Sequence, residues 1–114
     1  MIERWTFDND YLFDLVAANR KHGTCCLYHN DQDLSKVGDI NIIYNSNNQE
    51  IKIKITNVRK CRFCDIDEQW AKIEGEGDLS LNHWQKVHRE FFTKINSNFQ
   101  PTDILELNEF IVIK

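Results

Sequence analysis

Proline occurs once and glycine four times in 114 residues, which excludes a flexible linker and a loop-dominated fold. No apolar run approaches the roughly 20 residues needed to span a bilayer. The start, Met1-Ile2-Glu3-Arg4-Trp5, lacks the basic segment and apolar core of a secretory signal. The expectation is a soluble, cytoplasmic chain with no membrane contact. There is no internal repeat, low-complexity tract or domain boundary, so residues 1–114 are expected to form one domain. A phosphate-cradling glycine loop, a nucleophile elbow and a paired-histidine metal motif are all missing, and no cofactor is expected.

What is present is an ordinary globular balance, 41% hydrophobic and 28% charged residues. Three Trp, three Tyr and seven Phe can build a core without covalent staples. The four cysteines, Cys25, Cys26, Cys61 and Cys64, therefore need not be a disulfide framework. Cys61-Arg62-Phe63-Cys64 has the spacing of half a zinc site or of a redox pair. Adjacent Cys25 and Cys26 would point to opposite faces of a strand and make a poor second half. Unreactive, partly buried thiols are the main alternative, and no metal site is assigned.

Net charge is −4, and it is unevenly spread. Residues 1–62 hold nine basic and eight acidic side chains, residues 63–114 five basic and ten acidic. Lys52, Lys54, Arg59, Lys60 and Arg62 follow one another with no acid between them. Asp65, Asp67, Glu68, Glu74, Glu76 and Asp78 then face a single base, Lys72. An acidic chain does not suit non-specific nucleic-acid binding, which rests on phosphate neutralisation, but a local basic patch can still read one nucleotide. Two solvated faces are the plain alternative.

Hydrophobic periodicity predicts the element order α-β-β-β-α-α-β. Asp8 or Asp10 can cap a helix running to about Arg20, with Arg20 and Lys21 complementing its C-terminal dipole and Gly23 ending it. Thr24–Tyr28 is β-prone, and His29–Lys36 is a polar loop. Val37–Asn45 reads as a strand, and Asn45-Ser46-Asn47-Asn48 as a turn. Ile51, Ile53, Ile55 and Asn57 alternate with Lys52, Lys54 and Thr56, so a second strand runs toward Phe63 and forms a hairpin with the first. Asp65–Ile73 reads as a short helix. Ser80 caps a long helix to about Asn96, with Leu81, Trp84, His88, Phe91, Phe92 and Ile95 on one side. Ile104–Ile113 is the closing strand, with Phe110, Ile113 and either Ile111 or Val112 facing inward. Few strands and short turns predict an α+β fold, a curled mixed sheet flanked by helices.

Three segments could carry chemistry. Lys21, at a helix-to-strand junction, can approach the Thr24 hydroxyl across the turn. A lysine of depressed pKa could take the threonine proton; a charged one could hold an oxyanion or phosphate. Glu74-Gly75-Glu76-Gly77-Asp78 can aim carboxylates into a cleft because its glycines permit tight turns, and Lys21 or a cation would balance the charge. As a magnesium or calcium site it lacks a full ligand set. Trp84 and His88, with Phe91 and Phe92, read first as core and second as a base-stacking platform.

The run Gly75-Glu76-Gly77-Asp78-Leu79-Ser80-Leu81, followed by Trp84, His88 and Phe91-Phe92, resembles the signature of ASCH-domain proteins. Trp5, Lys21 with Thr24-Cys25, Val37-Gly38-Asp39, Thr56-Asn57-Val58, Phe63 and Phe110-Ile111-Val112 agree in order. The resemblance covers nearly the whole chain. It implies a PUA-like β-barrel with flanking helices and RNA binding through a cleft beside the barrel. One family branch is an amidohydrolase that deacetylates acetylated cytidine with a Lys, a Thr and a Glu; another member is described as a ribonuclease. The Lys-x-x-Thr pattern falls on Lys21 and Thr24, and the glutamate on Glu76, or else Glu74.

Three function classes follow. In the first, the chain binds RNA, a nucleoside or a nucleotide: Arg20, Lys21 and Arg59 contact phosphate or base, Tyr28 stacks, and Glu74 and Asp78 line the cleft. In the second, Lys21 deprotonates Thr24 for attack on an acyl carbon while Glu76 orients Lys21 or passes the proton to the leaving amine. In the third, the acidic segment 65–78 contacts another protein.

Overall fold

The computed structural model describes residues 2–29 and 34–113. Its backbone is a five-stranded mixed sheet, curled into a half-barrel, with three α-helices against it. The strands are β1 (Glu3–Trp5), β2 (Gly23–Leu27), β3 (Ile40–Tyr44), β4 (Glu50–Arg62) and β5 (Ile104–Val112), in the order β1-β3-β4-β5-β2. β1 runs parallel to β3, and every other pairing is antiparallel. The expected hairpin is β3–β4, with Ile43 opposite Ile51.

β4 is long enough to serve both halves of the core because its register shifts between Ile55 and Asn57. Such a bulge bends a strand and resets which residues face inward. Before it, Ile53 and Ile55 pack with Phe13, Val16, Ile43 and Phe110. Beyond it, the strand leads to Phe63, which packs with Trp70, Trp84, Phe92, Leu105 and Leu107. Asn57, the fourth residue of the predicted inward series, is exposed instead, and its amide donates to Glu109 at 2.6 Å.

The helices are α1 (Asp10–Ala17), α2 (Glu68–Glu74) and α3 (Leu81–Ile95). Asn9, rather than Asp8 or Asp10, caps α1 by accepting from the Leu12 amide. α1 stops three residues short of Arg20: Asn19 takes a left-handed conformation (φ 60°), and the Arg20 and Lys21 amides both return to the Leu15 carbonyl. Lys21 is therefore delivered into the structure and not onto a helix end, and Gly23 begins β2. Asp67 caps α2, so the helix starts at Glu68, three residues later than the sequence predicts, and a 3-10 turn at Phe63–Asp65 precedes it. Ser80 caps α3 as expected, but Phe91 and Ile95 are exposed, while Trp84, His88 and Phe92 are buried. In β5, Phe110 is buried but Ile111 and Val112 are exposed. β1, too short to show alternation, has no counterpart in the predicted order. Part of the expected His29–Lys36 loop lies outside the described residues. No helix among the described residues is long and apolar enough to cross a membrane.

Candidate functional site

Lys21 enters from the α1–β2 turn, Glu74 closes α2, Glu76 follows in the loop, and His88 faces them from α3. The Lys21 side chain is 1% exposed, and its Nζ lies 3.1 Å from Glu74 Oε1 and 3.0 Å from Glu76 Oε2. A third contact runs to the Glu74 carbonyl oxygen at 3.3 Å. An ammonium has three N–H donors, and these three acceptors use them. Glu74 is held on its other oxygen as well: the indole N–H groups of Trp70 and Trp84 donate to Oε2 at 2.7 and 2.6 Å.

His88 completes the cluster. Its Nδ1 lies 2.9 Å from the Trp84 carbonyl oxygen, which can only accept, so Nδ1 carries a hydrogen. Nε2 then faces Glu74 Oε1 at 3.5 Å and Glu76 Oε2 at 3.9 Å. A neutral ring would turn a lone pair toward two carboxylates; a protonated ring turns a donor toward them. The His88 ring also stacks on Trp84, with centroids 4.3 Å apart.

The protonation directions follow. Burial disfavours the Lys21 ammonium, but Glu74 and Glu76 outweigh it and raise the lysine pKa above its ordinary value. Burial opposes the Glu74 charge, yet Lys21, His88 and Trp84 hold that carboxyl well below the usual range. Burial would lower His88, and the hydrogen bond and charge of Glu74, with Glu76, raise it. Burial and Glu74 push the Cys25 thiol well up, against Lys21. The depressed-pKa option for Lys21 is overturned: two carboxylates keep it cationic.

Beside this cluster opens a cleft of about 250 Å³. Lys21, Thr24, Glu74, Glu76 and His88 line it with Trp5, Phe7 and Phe91. Lys21, Thr24, Glu76 and Glu74 thus share one cleft. No hydrogen bond joins Lys21 to Thr24 among the described residues, because the lysine donors are already taken. Glu74 is fixed by four groups, whereas Glu76 is the more exposed partner, at 12% of its side chain. Its loop is shaped by Gly75 (φ 72°), where a Cβ would meet the Arg20 carbonyl oxygen at 2.1 Å, and by Leu79 at φ 68°.

The other candidates lie outside the cleft. Arg20 is exposed beyond it. Tyr28 lines a separate groove with Asn96, Thr102 and Asp103, and Lys60 sits over its ring. Arg59 is exposed, with its guanidinium over the ring of the core residue Trp70, and it does not line the cleft. Asp78 is exposed and accepts from the Ser80 amide at 2.9 Å, contacts that lower its pKa. The sequence marks His88 as core or stacking platform and marks Trp5 and Cys25 only through the family resemblance, none of them as part of a charged cluster, and no pattern marks Phe7.

Cysteines 25, 26, 61 and 64 are all free. Among the described residues, the donor atoms that could share a metal are those of Cys25, Glu74 and His88, within 4.8 Å of one another. Glu74 Oε1, however, already holds the Lys21 ammonium, and Oε2 holds two indoles. A metal cation would have to displace a like charge, so the donor set fits an ammonium and not a metal.

A family model described as the ASCH domain matches residues 3–114. The chain belongs to the ASCH-domain family. The ASCH domain from Lactobacillus crispatus JV V101 is 28% identical; the match covers 96% of this chain and 79% of that one, with a TM-score of 0.86. A protein from Enterococcus faecalis V583 is 27% identical over 99% of this chain and 80% of that one, with a TM-score of 0.85. A Pyrococcus furiosus protein shares the fold at 16% identity and a TM-score of 0.59, covering 100% of this chain and 99% of that one. No curated protein matches the chain in sequence. These likenesses agree with the curled, helix-flanked sheet.

Proposed function

We propose that this ASCH domain binds a nucleoside or a single nucleotide unit, free or within RNA, in the cleft beside Lys21. The observation that carries the reading is a rigid ammonium–carboxylate–imidazole cluster at the floor of an aromatic-walled cleft. The walls supply stacking surface for a base, and the floor supplies fixed donors and acceptors. A cleft of about 250 Å³ suits one ring system and not a polynucleotide track. The net charge of −4 argues the same way, since phosphate-driven affinity needs a basic surface. Calorimetric titration with nucleosides, 5′-nucleotides and short RNAs is the test. Saturable binding weakened by Phe7→Ala supports the reading, and absence of binding across the series removes it.

A second reading is favoured by the sharing of one cleft by Thr24, Lys21 and Glu76: hydrolysis of an acylated nucleoside such as acetylated cytidine. With Lys21 held cationic, the roles change from those the sequence suggests. Glu76 takes the Thr24 proton as Oγ1 adds to the acyl carbon, and the Lys21 positive charge, its donors already taken, stabilises the oxyanion through space. The proton then passes to the leaving amine, and water hydrolyses the acyl-threonine. Chromatography of free cytidine checks this. Release lost in Thr24→Val is expected; release unchanged in that variant contradicts it.

A further inference from the structure

β5 carries two buried polar side chains that the Lys21 cluster does not use. Leu105 and Leu107 face the helices and are buried in the core. Glu106 and Asn108 take the other face and are 2% and 8% exposed. Their partners across the sheet are Cys26 and Thr24 of β2. Directly paired antiparallel residues share a face, so the hydroxyl-bearing Thr24 stands on the same surface as this polar pair.

The pair is half-satisfied. Asn108 Nδ2 donates to Glu106 Oε2 at 2.8 Å, and the Ser35 amide reaches the same oxygen at 3.5 Å. A carboxylate only accepts, so the Asn108 amide must present its nitrogen to Glu106 and turn its oxygen away. Among the described residues, Glu106 Oε1 and Asn108 Oδ1 are then both buried without a donor. Buried acceptors are rarely left unmade, and each such group calls for an explanation.

Both residues line a cavity of about 340 Å³ with Trp5, Asn41 and Ile55. Trp5, Thr24 and Cys25 line this cavity and the Lys21 cleft alike, so the two adjoin. The Trp5 ring is pinned between them, its indole N–H donating to Asn41 Oδ1 at 3.1 Å. A ligand seated against Trp5 thus has the charged cluster on one side and two unpaired acceptors on the other.

We propose that the Glu106–Asn108 cavity is a base-reading subsite for a ring that presents two adjacent N–H donors, as the edge of guanine does. The inference rests on the nucleotide-binding reading and gives it a base preference. Guanine offers N1–H and the N2 amino group side by side, a match for two acceptors. Adenine and cytosine place a ring acceptor beside their single amino group and would set acceptor against acceptor. Inosine keeps N1–H and loses the second donor.

The test is calorimetry of the full chain with the 5′-monophosphates of guanosine, inosine, adenosine and cytidine. Expected is guanosine monophosphate bound at least about tenfold more tightly than the adenosine and cytidine forms, with inosine between. Glu106→Gln and Asn108→Ala should each erase that preference. The wild-type series needs no variant to fold. Nitrogen-15 NMR of the Asn108 side-chain amide, shifted by guanosine monophosphate and not by the adenosine form, places the contact. Four equal affinities, or a preference that survives in both variants, overturn the subsite and leave the nucleotide-binding reading standing. No binding by any of the four overturns the subsite, and the nucleotide-binding reading falls with it only if nucleosides and short RNAs also fail to bind.

Discussion

The Lys21 ammonium lies 3.1 Å from the Glu74 carboxylate with both side chains shut off from solvent. Each charge is tolerable there only because of the other. Removing one partner of a buried pair leaves an uncompensated charge and costs about 3–5 kcal/mol. Lys21→Met and Glu74→Gln should therefore each lower the melting temperature sharply. The double variant should cost less than the sum of the two, because residues in contact do not add. Denaturant melts of the four proteins check this; additive losses would mean that the pair does not act as a unit. Loss of activity in a lysine variant consequently says little about catalysis here.

Stability should depend on pH through the same cluster. The His88 pKa is raised on folding, so its contribution is complete below about 6.5 and fades as pH climbs through the folded value. The Glu74 pKa is lowered, so its contribution is complete above about 4.3 and fades as pH falls toward the folded value. Melting temperature should peak between about pH 4.5 and 6.5 and decline on both sides. His88→Gln should flatten the alkaline limb and leave the acid limb. A wild-type protein that gains stability from pH 6.5 to 8, or a variant with an unchanged alkaline limb, would contradict the His88 assignment.

Gly75 joins the two carboxylates. At φ 72° its missing side chain leaves room for the Arg20 carbonyl oxygen, which a Cβ would approach to 2.1 Å. A left-handed non-glycine residue costs on the order of 1–3 kcal/mol before any clash. Gly75→Ala should exceed that range and also weaken ligand binding, because the loop must shift and Glu76 with it. A melting temperature within the error of the parent would show that the loop yields freely.

Thr24→Val keeps the shape of the side chain and removes the hydroxyl. No hydrogen bond to Lys21 depends on that hydroxyl, so the variant should melt close to the parent while losing any acyl-nucleoside hydrolysis. Thermal melts and the cytidine-release assay, run on one preparation, separate the two effects. Retained hydrolysis would take Thr24 out of the chemistry.

Legibility in the sequence follows range of interaction. β4 was readable because Ile51, Ile53 and Ile55 alternate locally, and α3 because Ser80 and the Trp84–His88–Phe92 spacing mark a cap and a buried stripe. The bulge at Thr56 was not, since it depends on pairing with β5 and resets the alternation at Asn57. Lys21, Thr24 and the Glu74–Glu76 segment were nameable from a short pattern. That Lys21 is locked as a cation was not, because Glu74 and Glu76 lie 53 and 55 residues away. His88 looked like core for a sound reason: it is core, stacked on Trp84, and its second nitrogen alone turns it into part of the site. Glu106 and Asn108 were invisible because a strand buried on both faces hides its polar positions among inward-facing leucines.

Nitrogen-15 NMR during titration with guanosine 5′-monophosphate tests the central claim most directly. The account predicts saturable shifts at the amides of Thr24, Glu76 and His88, around the cleft. Shifts confined to the groove of Tyr28, Asn96 and Asp103, or none at saturating nucleotide, would contradict it.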